Sequence, residues 1–80
     1  MAKVSMNYIC FQGYEASSTT KNVNTYVLPR HRIRQMAFLN VESILQLCLG
    51  DAGLPTVSIA YVLTSVEFDE LKKAVAHSFV

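Results

Sequence analysis

The sequence predicts a two-layer α+β sandwich in the order ββαβα, in which a three-stranded sheet carries two helices on one face. Three observations support this prediction. Two stretches place apolar residues at every second position, two others place them three and four positions apart, and turn residues separate the stretches. The 80 residues are enough for one domain, which we assign to residues 1–80.

Two strands are expected in the first third of the chain. Residues 3–12 alternate between apolar and polar side chains over most of their length, as a half-buried strand does. A loop rich in serine and threonine follows over residues 13–22. The second strand covers residues 23–28 and stops before Pro29, because the residue before a proline avoids the helical region. These two strands are expected to pair in antiparallel fashion.

The third predicted element is a long central helix over residues 29–50. Proline is favoured in a first helical turn and glycine just past the last, as Pro29 and Gly50 would be here. Asn40 could cap a separate second helix, but the apolar spacing continues across it, so one helix is preferred. The residues on the predicted apolar face are Ile33, Ala37, Val41, Ile44, Leu45 and Cys48.

A strand and a helix are expected to complete the chain. Residues 56–63 alternate clearly, and Thr64 and Glu67 have the spacing of a capping box before a helix over residues 65–78. Since a strand–helix–strand unit crosses over right-handed, the strands near residues 25 and 60 should be parallel, with both helices on one face. The apolar stripe of the last helix is Phe68, Leu71, Val75 and Phe79.

The composition indicates a contact surface. Hydrophobic residues make up 51% of the chain and charged residues 16%, against about 25% charged in an average soluble domain. A small domain has a high surface-to-volume ratio, so part of the apolar excess is expected at the surface, where it would contact a partner or a second copy. The candidates are apolar residues outside the predicted core face of the central helix: Phe38, Leu39, Leu47 and Leu49.

A basic cluster at the start of the predicted central helix suggests an alternative function. A helix start offers free backbone N–H groups to an anion, so the cluster could bind nucleic acid, phosphate or an acidic partner. The net charge is only +1, however, and the predicted topology places Glu67, Asp69 and Glu70 beside the cluster, where they would neutralise it. The cluster comprises Arg30, His31, Arg32 and Arg34, with Lys21 as a further cation.

Several classes of function have no sequence support. No His, Cys, Asp or Glu residues have the spacing of metal ligands, no motif presents a nucleophile beside a base, and no glycine-rich loop could hold a phosphate. We therefore expect no enzyme, metal or cofactor. No apolar run approaches the roughly 20 residues that span a bilayer, and two cysteines make no disulfide framework, which favours a cytoplasmic location.

The expected function is therefore protein binding. We expect a small non-catalytic domain that binds a protein partner, forms a homo-oligomer, or does both. Its size and lack of motifs resemble those of a compact inhibitor or accessory factor of the kind that phages and mobile elements encode.

Overall fold

The computed structural model describes residues 1–78 and contains an antiparallel six-stranded sheet that curls into a half-barrel beside one C-terminal helix. The strands are β1 (Lys3–Val4), β2 (Tyr8–Glu15), β3 (Asn24–Pro29), β4 (Ile33–Leu39), β5 (Ile44–Leu49) and β6 (Val57–Val62), and the helix α1 spans Ser65–Ser78.

The predicted sandwich of three strands and two helices is wrong, because residues 29–50 form no α-helix. After the end of β3 they contain a 3₁₀ turn (Arg30–Arg32), β4, a second 3₁₀ turn (Val41–Ser43) and β5. Glu42 and Ser43 have φ values of 62° and 53°, which reverse the chain and which a right-handed helix does not allow. The helical spacing therefore came from a hairpin, in which β5 buries alternate side chains and β4 has only half-buried and exposed ones.

Both elements predicted for the last third of the chain are confirmed. The alternating stretch forms β6 and the following stretch forms α1. Thr64 caps α1, because its Oγ1 accepts the backbone N–H of Glu67 at 3.2 Å. Phe79, the last member of the predicted stripe, lies outside the described residues.

The first predicted strand is divided in two, and one predicted pairing is wrong. A turn separates β1 from β2, and the Ser5 N–H donates to the Tyr8 carbonyl oxygen at 2.9 Å. β3 pairs antiparallel with β2, as expected. It does not lie parallel to β6, which instead pairs antiparallel with β5 and with the end of β2.

The long strand β2 joins the two parts of the sheet. One of its edges pairs with β3 along almost its whole length. The other edge changes partner: Ile9 lies opposite Val4 of β1, whereas Tyr14 lies opposite Val62 of β6. From β6 the sheet continues through β5 to β4, which is its last strand on that side.

The core fills the concave face of the half-barrel. An aromatic cluster of Phe11, Tyr26 and Tyr61 holds the two parts of the sheet together, with ring centroids 4.8 to 5.4 Å apart. The helix adds Phe68, whose ring meets that of Phe38 edge to face at 5.6 Å. The buried hydrophobic residues are Ile9, Phe11, Leu45, Leu47, Leu49, Tyr61, Leu63, Phe68 and Leu71.

A buried carboxylate fills the gap between β1 and β6. The backbone N–H of Gln12 points towards this gap, where β2 has neither neighbour, and donates to Oε1 of Glu67 at 3.1 Å. Glu67 is only 7% exposed. Its side chain therefore joins the first turn of α1 to the middle of the sheet.

Gly13 should be sensitive to substitution because β2 and β6 approach closely there. A Cβ at this position would lie 2.5 Å from the Val62 carbonyl oxygen, which belongs to a paired strand and cannot rotate away. We expect Gly13→Ala to lower the free energy of unfolding by about 1–3 kcal/mol, measured by chemical denaturation. Gly50→Ala is the matched control, since a Cβ there meets the rotatable Cγ2 of Thr56 at 2.9 Å. An equal or larger loss in the control would contradict the close approach as the cause.

Tyr61 should make the fold sensitive to alkaline pH. Burial raises the pKa of its phenol, and the nearby Glu15 and Tyr26 add to the effect. The folded-state pKa then exceeds the unfolded value of about 10, so the stabilisation is fully present below about pH 10 and is lost as the pH rises through the folded-state pKa. We expect the free energy of unfolding to fall more steeply for the wild type than for Tyr61→Phe between about pH 9 and about pH 11. Parallel pH profiles in denaturant titrations would contradict this.

Candidate functional site

The predicted apolar contact residues lie in different environments. Leu47 and Leu49 are 0% and 8% exposed, because β5 directs its odd-numbered side chains into the core. Phe38 is half-buried and contacts Phe68. Only Leu39, which is 45% exposed, has a largely accessible side chain. The expected surface on a helix flank does not exist, since these residues belong to a hairpin.

The predicted basic cluster is divided as well. Nη1 of Arg30 donates to the Ser5 carbonyl oxygen at 2.6 Å and to Oγ of Ser78 at 2.8 Å. Ser78 is the last residue of α1, so Arg30 lies at the opposite end of the helix from Glu67, which is in the first turn. The topology behind the predicted neutralisation by Glu67, Asp69 and Glu70 is therefore absent.

The other basic residues do not converge on one anion site. Nε of Arg32 lies 3.4 Å from Oδ1 of Asp51. His31 is exposed in a 3₁₀ turn of three residues, which offers no α-helix start. Lys21 precedes β3, whereas Arg30 follows it, so the six residues of β3 place them roughly 20 Å apart. Arg34 is exposed at a bulge between β4 and β5.

The sheet's hydrogen-bond pattern shows which backbone groups of β5 face β4. The Leu63 N–H donates to the Ser43 carbonyl oxygen at 3.1 Å. Ser43 and Leu63 are therefore a hydrogen-bonded pair. Because hydrogen-bonded and non-hydrogen-bonded pairs alternate in an antiparallel ladder, the next pair, Ile44 with Val62, is non-hydrogen-bonded. Ile44 therefore directs its own N–H and C=O away from β6. The same holds for every second residue of β5, so its even-numbered residues bond to β4.

It follows that some backbone N–H and C=O groups of β4 point away from β5, at the outer edge of the sheet. The even-numbered residues of β5 lie opposite Gln35, Ala37 and Leu39. The intervening residues, Met36 and Phe38, therefore direct their N–H and C=O groups to the other edge of β4. No strand pairs with that edge within residues 1–78. β4 thus has an open edge with two outward-pointing backbone positions.

A groove runs between this open edge and α1. Its volume is about 310 Å³. Ile33, Met36 and Phe38 of β4 and Val75 of α1 provide its apolar surface. The complete lining is Ile33, Arg34, Gln35, Met36, Phe38 and Val75, with no acidic side chain.

One cation lines the groove and a second lies near its other end. Arg34 lies at the end where β4 begins. Lys72 lies near the other end, where its Nζ donates to Oδ1 of Asn40 at 3.1 Å and is 6.0 Å from the centroid of the Phe68 ring. The groove therefore combines an apolar middle with basic ends.

The convex face of the sheet is a second distinctive surface. In strands β2–β6, every second side chain lies on this face, and none of these side chains is charged. The helix α1, in contrast, carries acidic and basic residues. A cavity of about 250 Å³ on it is lined by Gln35, Ala37, Gln46, Cys48 and Ser58. These side chains are uncharged, and they are small or bear an amide or a thiol.

Two further cavities contain charged groups that already have protein contacts. The larger, about 500 Å³, lies near Arg30 and His77, where Arg30 bonds to Ser5 and Ser78. The smaller, about 290 Å³, includes Glu67, which accepts the bond from Gln12. Nowhere in residues 1–78 do three His, Cys, Asp or Glu residues lie close enough together to hold a metal ion.

No protein-family model matches this chain, and no curated protein or solved structure is significantly similar to it. In the described part of the chain, no helix has the length and apolar character needed to cross a lipid bilayer.

Sequence reasoning predicted Arg34 and Phe38 as binding residues but missed the other four residues of the groove, Ile33, Gln35, Met36 and Val75. Met36 belongs to an alternation with Gln35, Ala37 and Phe38 that indicates a strand, but four residues could not outweigh the longer helical spacing around them. Val75 was predicted as a core residue, and it does pack against the core while also lining the groove.

The open edge predicts an alternating pattern of amide exchange along β4. The N–H groups of Met36 and Phe38 should exchange rapidly, because they point away from β5. The N–H of Ala37, which faces Gln46, should exchange more than about 100-fold more slowly. Hydrogen exchange followed by NMR on the isolated protein measures all three. Equal protection would mean that another chain covers the edge in solution.

Proposed function

We propose that this chain is a small non-catalytic protein-binding module that captures an extended segment of a partner protein as an additional strand on β4. The observation that carries the proposal is the open edge of β4, where Met36 and Phe38 direct backbone donors and acceptors beside an apolar groove. In binding by strand addition, main-chain hydrogen bonds supply affinity and pockets for alternate side chains supply specificity.

The groove is in the right place to receive those side chains. In a paired strand, residues opposite Met36 and Phe38 place their side chains on the same face of the sheet as these two residues. That is the concave face, since Phe38 contacts Phe68 of α1. Two side chains of the added segment, two residues apart, would therefore enter the groove beside Val75.

Binding of nucleic acid or phosphate has less support. Arg30 and Arg32 both contact groups of the protein itself, and Lys21 lies at the other end of β3. Non-specific binding to nucleic acid at physiological salt needs several phosphate contacts on one surface. We therefore prefer protein binding, in the role of an inhibitor or accessory factor. We place this function in the cytoplasm, where Cys10 and Cys48 would remain free thiols.

Replacing Met36 by proline tests the proposal. Its N–H points away from β5, so proline removes a donor from the open edge and leaves the β4–β5 hydrogen bonds in place. Peptides selected on the wild type from a phage-displayed random library serve as ligands. We expect Met36→Pro to weaken their binding by about five-fold, as one lost hydrogen bond of about 1 kcal/mol would. Fluorescence anisotropy measures the dissociation constants.

The same substitution at the other outer strand is the matched control. The Gln12 N–H points away from β3, so Gln12 and Thr25, which lies opposite it, form a non-hydrogen-bonded pair. Thr25 therefore directs its N–H away from β2, and so does Val27, two residues further along β3. Val27→Pro should leave peptide binding unchanged, and circular dichroism checks that both variants fold.

Exchange measurements on the wild type provide a readout that needs no variant. A bound peptide should slow exchange at Met36 and Phe38. Failure to select peptides, equal binding by Met36→Pro, or a dimer that protects the same two amides without peptide would each overturn the proposal.

A further inference from the structure

We propose that the captured segment is acidic at both ends of a short apolar stretch, with one carboxylate near Arg34 and another near Lys72. This inference rests on the proposed strand addition at β4. It names the chemistry of the partner, which the open edge alone does not specify.

The spacing of the groove determines the pattern of the segment. Residues two apart in a strand lie on the same face. The segment positions opposite Met36 and Phe38 enter the apolar part of the groove. Two residues further out, the segment passes the bulge residue Arg34 at one end and Asn40, which follows the last residue of β4, at the other. Because Lys72 bonds to Asn40, a cation lies near each of these outer positions. The segment therefore reads acidic, any, apolar, any, apolar, any, acidic.

Arg34 has no acidic partner among residues 1–78. Two ion pairs form within residues 1–78, that of the Met1 amino group with Glu67 and that of Arg32 with Asp51. Arg34 belongs to neither, and its side chain is exposed at the bulge that begins β4. A carboxylate on an added strand would provide an opposite charge for Arg34 at this end of the groove.

Lys72 is in a similar position at the other end. Its Nζ donates to the neutral amide of Asn40 and lies over the Phe68 ring, and it has no ion pair within the described residues. No acidic side chain lines the groove between the two cations. A segment with lysine or arginine at its ends would place like charges together, and such contacts discriminate strongly between partners.

Three capped seven-residue peptides test the inference by NMR titration, which detects weak binding. The first is Glu-Thr-Val-Thr-Val-Thr-Glu, and the other two carry glutamine or lysine in place of both glutamates. We expect the glutamate peptide to bind about two- to five-fold more tightly than the glutamine peptide at low salt, since exposed ion pairs contribute up to about 1 kcal/mol. The lysine peptide should bind most weakly, and the differences should shrink at high salt.

Charge reversal identifies the residue responsible. Arg34→Glu should remove or invert the preference for glutamate over glutamine. Lys21→Glu changes the net charge equally but lies before β3, away from the groove, and should keep the preference.

The outcomes separate this inference from the proposed function. If the glutamate and glutamine peptides bind equally and both protect the Met36 and Phe38 amides, strand addition stands and the acidic segment is overturned. If no peptide protects those amides, strand addition itself is overturned.

Discussion

The half-barrel depends on the way β2 divides one of its edges between β1 and β6. A strand that changes partner leaves a backbone group facing no strand, here the N–H of Gln12, and an unsatisfied buried donor costs about 1–3 kcal/mol. Glu67 satisfies it from α1. The absence of a side chain at Gly13 lets β6 begin its pairing immediately beyond the gap. One hydrogen bond therefore joins the first turn of α1 to the sheet, and one close approach lets β2 pair with β6 beside it.

The position of α1 explains why the groove has the shape it has. The helix is held at its start by Glu67 and lies against the concave face through Phe68 and Leu71, so Val75 comes beside β4 without replacing a strand there. Natural sheets protect their edges with short strands, prolines, bulges and charges. Here β1 has two residues, β3 ends at Pro29, and β4 has a bulge at Arg34. Beyond that bulge β4 has none of these devices.

The sequence allowed β6 and α1 to be predicted, because each has one uninterrupted period and a clear boundary at Thr64. It did not allow the β4–β5 hairpin to be predicted. A bulge at Arg34 and two left-handed residues, Glu42 and Ser43, shift the phase of the alternation. Glutamate and serine rarely adopt positive φ, so the sequence does not indicate the turn that they form. The basic character of Arg34 was recognised from the sequence. Its place at the end of a groove depends on contacts between distant segments, which no local pattern encodes.

The bond between Gln12 and Glu67 also bears on the order in which the molecule folds. These residues are 55 positions apart, whereas β2 with β3, β4 with β5 and β5 with β6 are neighbours in sequence. Contacts between distant residues must first overcome the entropy of closing a long loop, so local hairpins are expected to form earlier. A chain that has formed only its hairpins has the edge of β4 but no helix beside it. The groove then exists only in the completely folded molecule, and a nascent or truncated chain would lack it.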